Sequence, residues 1–220
     1  MEKQRNSNCW YANTCLEDCE RCTTFIQLDW QMKNSGLPDN KQRIIPLYIN
    51  LNNECDRDAY KQLATIRKDI VNYVQGGRNL YICGTNPGTG KTSWAVKLLQ
   101  TYFHYCSEGN YQNLLGMYVS TVDVLLRLKD FNNPLPQKYK EALEKVDVVV
   151  WDDIAVTGIS QYDFTQLYSI INNRMFAEKS NIFTSNVTDY AQLEKILGSR
   201  LASRVFNSSE KIELKGMDMR

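Results

Sequence analysis

The 220-residue chain has a single histidine, His104, only five prolines, and no apolar run near the roughly 18 residues of a membrane-spanning helix. Its first residues, Met1 to Asn8, are polar and lead into no hydrophobic signal region. No membrane partner is therefore expected, and the expected location is the cytoplasm. Neither sign of charge dominates, since 26 Lys and Arg oppose 25 Asp and Glu for a net charge of +1. That balance excludes a strong overall attraction to polyanions, so any contact with nucleic acid must come from a local patch. Apolar residues make up 43% and charged residues 23%, the balance of a globular protein that can bury a core. The length exceeds the usual single domain of roughly 100 to 150 residues and leaves room for one α/β domain and a small appendage.

Cysteine is not scarce. There are seven, an odd count that argues against a disulfide framework, and four of them cluster near the start. Cys9, Cys15, Cys19 and Cys22 are separated by five, three and two residues, within a stretch too polar to fold by apolar burial alone. Four thiolates suit a tetrahedral Zn²⁺ site whose binding energy would fold the segment. The last three also have a spacing found in iron–sulfur proteins, and four reduced cysteines in a floppy arm are a third reading. His104 lies far from the cluster and is expected to be a surface or core residue, not a ligand.

The strongest signal is Leu80-Tyr81-Ile82-Cys83-Gly84-Thr85-Asn86-Pro87-Gly88-Thr89-Gly90-Lys91-Thr92, an apolar strand entering a glycine-rich loop and then a helix. It reads as a phosphate cradle formed by Asn86, Pro87, Gly88, Thr89 and Gly90. Gly88 and Gly90 let backbone amides close on a polyphosphate, Lys91 reaches the β and γ phosphates, and the Thr92 hydroxyl is placed to hold Mg²⁺. One position departs from the pattern. The strict form has glycine five residues before Gly90, where this chain has Thr85, with Gly84 one residue early.

The second signal is Val146-Asp147-Val148-Val149-Val150-Trp151-Asp152-Asp153, a continuous apolar run ending in two carboxylates. Such a run suits a strand buried on both faces of a parallel sheet, and its C-terminal end is where ligands bind. Asp152 would hold Mg²⁺ through water and Asp153 would orient or deprotonate the water attacking the γ phosphate. A further strand, Ile182-Phe183-Thr184, ends in Ser185-Asn186, and Asn186 is the candidate to contact the γ phosphate or that water. In Gly198-Ser199-Arg200-Leu201-Ala202-Ser203-Arg204-Val205 the two arginines fall one helical turn apart on one face, where they could reach a phosphate on a neighbouring subunit.

The remaining pattern is coarser. Thr23 to Trp30 fits a short helix or a strand, and Asn34 to Asn40 is rich in turn formers, which places a domain boundary near residue 40. One helix is expected from Asp56 to Val74, one from Lys91 to Tyr105, and one from Thr121 to Leu128 with Val122, Leu125 and Leu126 inward. A strand is expected at Leu114 to Val119 and an amphipathic helix at Phe164 to Phe176. Asp130 to Lys140 reads as a polar, proline-containing excursion whose Lys129, Lys138 and Lys140 suit a DNA-contacting surface or an ordinary solvated loop.

Taken in order, GTGKT, VVVWDDI, the helix carrying IINNR, IFTSN and GSRLASRV resemble the AAA+ ATPases of the DnaC and DnaI helicase-loader family, from about Ile45 to the end. The resemblance implies an α/β AAA+ P-loop fold with a parallel central sheet flanked by helices over residues 41–220, and a small cysteine-rich, metal-binding and helicase-interacting domain over 1–40. It implies ATP, Mg²⁺ and Zn²⁺ as cofactors, and a DnaB-type replicative helicase and single-stranded DNA as partners, with self-association on the helicase. By motif position Asn186 becomes sensor 1, Arg204 the arginine finger with Arg200 beside it, and Arg220 a weak candidate for sensor 2. Aspartate at Asp153, in a role often filled by glutamate but common in this family, implies slow, switch-like hydrolysis. Two other readings stay open: a DNA-binding ATPase subunit of a transposition system, and a metal-binding helicase adaptor with a vestigial ATP site. A small-molecule kinase is disfavoured, because the chain shows no arginine-rich lid.

Overall fold

The computed structural model describes residues 9, 22–43, 47, 54–107, 113–129, 135–158 and 160–216. Among these residues five strands form one sheet in the order β2-β3-β4-β1-β5, and every neighbouring pair is parallel. They are β1 (Leu80–Cys83), β2 (Gly116–Ser120), β3 (Val148–Asp152), β4 (Ser180–Ser185) and β5 (Glu210–Glu213). The helices are α1 (Thr23–Asn34), α2 (Arg57–Lys68), α3 (Ile70–Gln75), α4 (Lys91–Cys106), α5 (Thr121–Arg127), α6 (Leu135–Lys145), α7 (Gln161–Phe176) and α8 (Tyr190–Ala202).

Side chains alternate across a strand, so the central strands supply two cores. Leu80, Ile82, Val148, Val150 and Ile182 face a cluster shared with α1 to α4. Tyr81, Cys83, Val149, Trp151 and Phe183 face a second cluster shared with α5 to α8. This two-sided burial is why β3 reads as an unbroken apolar run and not as an alternating one. All six positions expected to be buried on α4, from Ala95 to Phe103, are buried, as are the six on the Asp56 to Val74 segment.

Several expectations need correction. The helix expected from Asp56 to Val74 is two helices, because Asp69 leaves helical geometry at φ −113°, ψ 28°. Its carboxylate accepts a hydrogen bond from the Asn72 side-chain amide at 2.6 Å, on the exposed side of the break. Periodicity conceals the break, since Ile66 and Ile70 keep four-residue spacing across it. On α5 the inward set is Thr121, Val124 and Leu125, continued by Leu128, while Val122 and Leu126 are exposed. The expected excursion from Asp130 contains the start of α6, whose Pro136 lies in its first turn, where a missing amide costs nothing. β5 was not foreseen at all. It is an edge strand of sequence EKIE with only Ile212 buried, too short and too charged to stand out.

Thr23 to Asn34 resolves as a helix, and α1 packs against the sheet unit before the expected boundary near residue 40. Leu28, Met32 and Leu37 belong to the first core. The Gln31 side chain donates to the Asn113 carbonyl and accepts from the Leu115 amide, both at 2.9 Å, and the Tyr118 amide donates to the Ser35 carbonyl at 2.7 Å.

Candidate nucleotide-binding site

The site forms at the C-terminal ends of β1, β3 and β4. A cavity of about 410 Å³ there is lined by Pro87, Gly88, Thr89, Gly90, Lys91, Thr92, Ser93, Asp152, Asp153, Thr184, Asn186 and, unforeseen from the sequence, Lys41. The register explains the convergence. β1 and β4 pair with Cys83 opposite Ser185, and β3 and β4 with Trp151 opposite Phe183, so the loop, the carboxylates and Asn186 leave the sheet at one level.

Gly88 and Gly90 adopt φ of 71° and 93°, left-handed values that side chains disfavour, and Gly90 caps the start of α4. The early glycine has a separate cause: a Cβ on Gly84 would stand 2.1 Å from the Leu214 carbonyl oxygen, where the chain leaving β5 crosses the loop. Thr85 is exposed and is not among the residues of positive φ, so the position needs no glycine. Asn86 ties the loop to the same crossing segment, its amide donating to the Gly216 carbonyl at 3.0 Å. The buried Lys91 ammonium donates to the carbonyls of Gly84 and Asn86 at 2.9 and 2.8 Å.

Asp152 collects three hydroxyl donors. Thr92 and Thr184 reach Oδ1 at 2.8 and 2.7 Å, and Tyr118 reaches Oδ2 at 2.5 Å. Burial and the adjoining carboxylates push the Tyr118 phenol well above its ordinary range, so it stays a donor. Asp153 has left-handed φ of 53°, and its amide donates to Thr184 Oγ1 at 3.0 Å. Its carboxyl is pushed above the usual carboxylate range by desolvation and by Asp152, with Lys91 acting in the opposite sense. The Thr92 hydroxyl and Asp152 carboxylate, in contact at one end of the cavity, are the hard oxygen ligands that Mg²⁺ takes.

Not every expected residue gathers here. Neither Arg200 nor Arg204 lines the cavity. Gly198 breaks α8 with φ 70° and ψ 158°, and Ser203–Asn207 winds as a π-helical turn, so the two arginines do not continue one regular helix. Arg200 borders a groove with Phe164, while Arg204 lies 5.8 Å from the centre of the Phe176 ring. Arg220, Cys15 and Cys19 lie outside the described residues. Cys9 and Cys22 are half-buried and not joined in a disulfide, and among the described residues no group of three or more His, Cys, Asp or Glu side chains is placed to hold a metal. Among them, too, no helix is long and apolar enough to cross a membrane.

Sequence reasoning missed Thr184, Tyr118 and Lys41. Thr184 could have been found by asking which polar side chains stand near the ends of strands flanking β3, whereas Tyr118 lies in the middle of β2. Lys41 had no local signal, because its place depends on the path of the chain after α1.

A parallel sheet with a glycine loop, lysine, threonine and terminal carboxylate at its C-terminal edge defines an α/β P-loop nucleotide-binding protein. The chain belongs to the family described as IstB-like ATP binding protein, whose profile matches residues 2–220. It is 25% identical over 169 residues to the replicative helicase loader DnaC of Buchnera aphidicola subsp. Baizongia pistaciae, covering 72% of this chain and 64% of that protein. To DnaC of Escherichia coli K12 it is 24% identical over 172 residues, covering 76% and 67%. The chain thus spans about two thirds of the length of these relatives. Among solved structures, DnaI superposes with a TM-score of 0.65 at 21% identity, covering 86% of this chain and 99% of that one. The DnaC helicase loader superposes at 0.62 and 22% identity, covering 84% and 99%. AMPPCP-bound DnaA from Aquifex aeolicus gives 0.57 and 22%, covering 76% and 48%. At these identities the structures show a shared fold, the parallel sheet flanked by helices.

Proposed function

We propose that this chain is an ATP-dependent loader that delivers a DnaB-type replicative helicase onto single-stranded DNA, using ATP as a switch. The observation that carries the reading is a phosphate loop and Asp152 facing one cavity, in a chain whose curated relatives are named replicative helicase loaders. In this reading Asn86 to Gly90 and Lys91 hold the phosphates, and Thr92 and Asp152 hold Mg²⁺. When bound, the metal neutralises charge on the β and γ phosphates. Asp153 accepts the proton of the attacking water, a role favoured by its raised pKa, and Asn186 orients that water. With aspartate as the base, hydrolysis is slow. Arg204, with Arg200 beside it, acts on ATP in a neighbouring copy, because neither lines the cavity of its own chain. Arg220 is assigned to ATP binding as sensor 2.

The cysteine cluster is assigned to zinc and helicase binding within residues 1–40. Within that range α1 packs Leu28 and Met32 on the core and leaves Ile26 and Trp30 exposed. The transposition-subunit reading shares the ATP site and differs in taking duplex DNA without a helicase.

The test is co-purification of the full chain with its host's replicative helicase, with and without ATP, beside a version lacking residues 1–22. The expected result is a complex with the full chain that is lost on deletion. Absence of any complex, together with ATP-dependent binding of duplex DNA, would replace the loader reading with the transposition one.

A further inference from the structure

Lys41 is a cation in the nucleotide cavity that no phosphate-loop motif accounts for. It closes a short 3-10 turn, Asp39–Lys41, on the segment between α1 and the rest of the sheet unit. That segment is fixed by three contacts, two to β2 and one to α4. A Cβ on Gly36, whose φ is 79°, would stand 2.6 Å from the Tyr118 carbonyl oxygen, so only glycine allows the chain to lie this close to β2. The Tyr118 amide donates to the Ser35 carbonyl at 2.7 Å. The Gln100 side chain, from α4, donates to the carbonyls of Lys41 and Arg43, each at 2.8 Å.

From this anchored segment the Lys41 ammonium lies 5.1 Å from the centre of the Tyr118 ring and 3.5 Å from its hydroxyl. The same hydroxyl donates to Asp152 Oδ2 at 2.5 Å. Lys41 is therefore one short bridge away from the carboxylate at the metal end of the cavity, whereas Lys91 is held by carbonyls of the loop. Two ammonium groups on different elements, facing two adjacent carboxylates, suit a ligand that brings several negative charges and a divalent cation together.

We infer that Lys41 is a second cationic contact for the metal-bound phosphate end of ATP, and that Tyr118 couples it to Asp152, so that binding a triphosphate clamps the segment after α1 onto the sheet. The inference rests on the ATP-site reading above. Its consequence is a path from nucleotide to the N-terminal segment that runs through residues 35–43 and not through the phosphate loop. An ADP-bound site lacks the terminal phosphate and leaves the clamp looser.

The experiment measures Mg²⁺·ATP and Mg²⁺·ADP binding by calorimetry, together with amide hydrogen exchange of residues 35–43, in the full-length protein and in Lys41→Ala, Tyr118→Phe and Lys91→Ala. In the unsubstituted protein ATP is expected to slow exchange across 35–43 more than ADP does. Lys41→Ala should weaken ATP about tenfold, the scale of one charge-assisted contact, change ADP less, and remove the added protection. Tyr118→Phe keeps the ring and its packing, and should lower that protection without unfolding, as checked by its melting temperature without nucleotide. Equal losses for ATP and ADP in Lys41→Ala, unchanged ATP affinity, or exchange at 35–43 that ignores nucleotide each overturn the clamp while leaving the ATP site intact. Full ATP binding by Lys91→Ala overturns the site reading and the clamp with it.

Discussion

Two ends of the same sheet hold buried or half-buried charge and treat it in opposite ways. At the N-terminal edge of β3 and β4, Arg174 is fully buried. Its guanidinium donates to Asn181 Oδ1 at 2.8 Å and to the carbonyls of Leu143, Val146, Asp147 and Ser180. Those partners come from α6, the entries to β3 and β4, and β4 itself, so one side chain joins them around neutral oxygens. At the C-terminal edge Lys91, Lys41, Asp152 and Asp153 line an open cavity, and Asp153 is disfavoured as an anion by its surroundings. A charge sealed away from the cavity, with its donors taken up inside the fold, holds the fold. Charges that face a cavity, and one another, hold something that comes and goes.

The comparison breaks first at Arg174. Arg174→Leu keeps apolar bulk but orphans several buried carbonyls, and is expected to destabilise the protein by about 4 kcal/mol in denaturant unfolding. Arg174→Lys should rescue little, since three donors on one point cannot reproduce the planar fork. The second break is the converse. Lys91→Ala should lower ATP affinity about a hundredfold while costing about 1 kcal/mol or less in stability. If Lys91→Ala unfolds the chain, or Arg174→Leu leaves its stability unchanged, the division between the two edges is wrong.

How much of this was legible in the sequence follows the same division. The phosphate loop and the β3 run were readable because their chemistry is local: left-handed glycines at 88 and 90, and apolar residues on both faces. Arg174 sat in the IINNR stretch without any sign that it was buried, since four of its five partners are backbone carbonyls and those have no sequence signature. Lys41 and Tyr118 escaped for a related reason, being joined by the packing of an edge strand against a distant turn. The break at Asp69 and the start of α6 at a proline were hidden because apolar spacing reports burial and not helix continuity.

A smaller effect tests whether burial alone makes a charge structural. His104, the only histidine, is buried on α4, and desolvation with the nearby Lys97 pulls its pKa down to about 4. The unfolded chain therefore binds more protons than the folded one between about pH 6.5 and 4, and stability falls as pH falls through that window. Going from pH 7.5 to 5 is expected to cost about 2 kcal/mol beyond the general acid response. His104→Gln removes the titration, so its unfolding free energy should change less over the same interval. Equal slopes for both proteins would show that His104 is not what couples this core to pH.

The smallest expected effect concerns the strain at the nucleotide edge. Asp153 holds φ of 53°, a left-handed value that costs a non-glycine residue about 1 kcal/mol, and it does so where the chain turns from β3 so that the Ile154 amide can reach the Thr184 carbonyl at 3.0 Å. Asp153→Gly relieves the strain and also removes one of two mutually repelling carboxylates. It should raise stability by about 0.5 to 1 kcal/mol in thermal or denaturant unfolding, while ATP hydrolysis falls and ATP binding persists. The same exchange at Glu178, the other non-glycine residue of positive φ among the described residues, relieves a comparable strain at the opposite edge of the sheet and should stabilise without touching hydrolysis. A gain in stability at both positions with a loss of hydrolysis at only one would show that the two edges carry similar backbone strain and that only the cavity edge puts a reactive group on it.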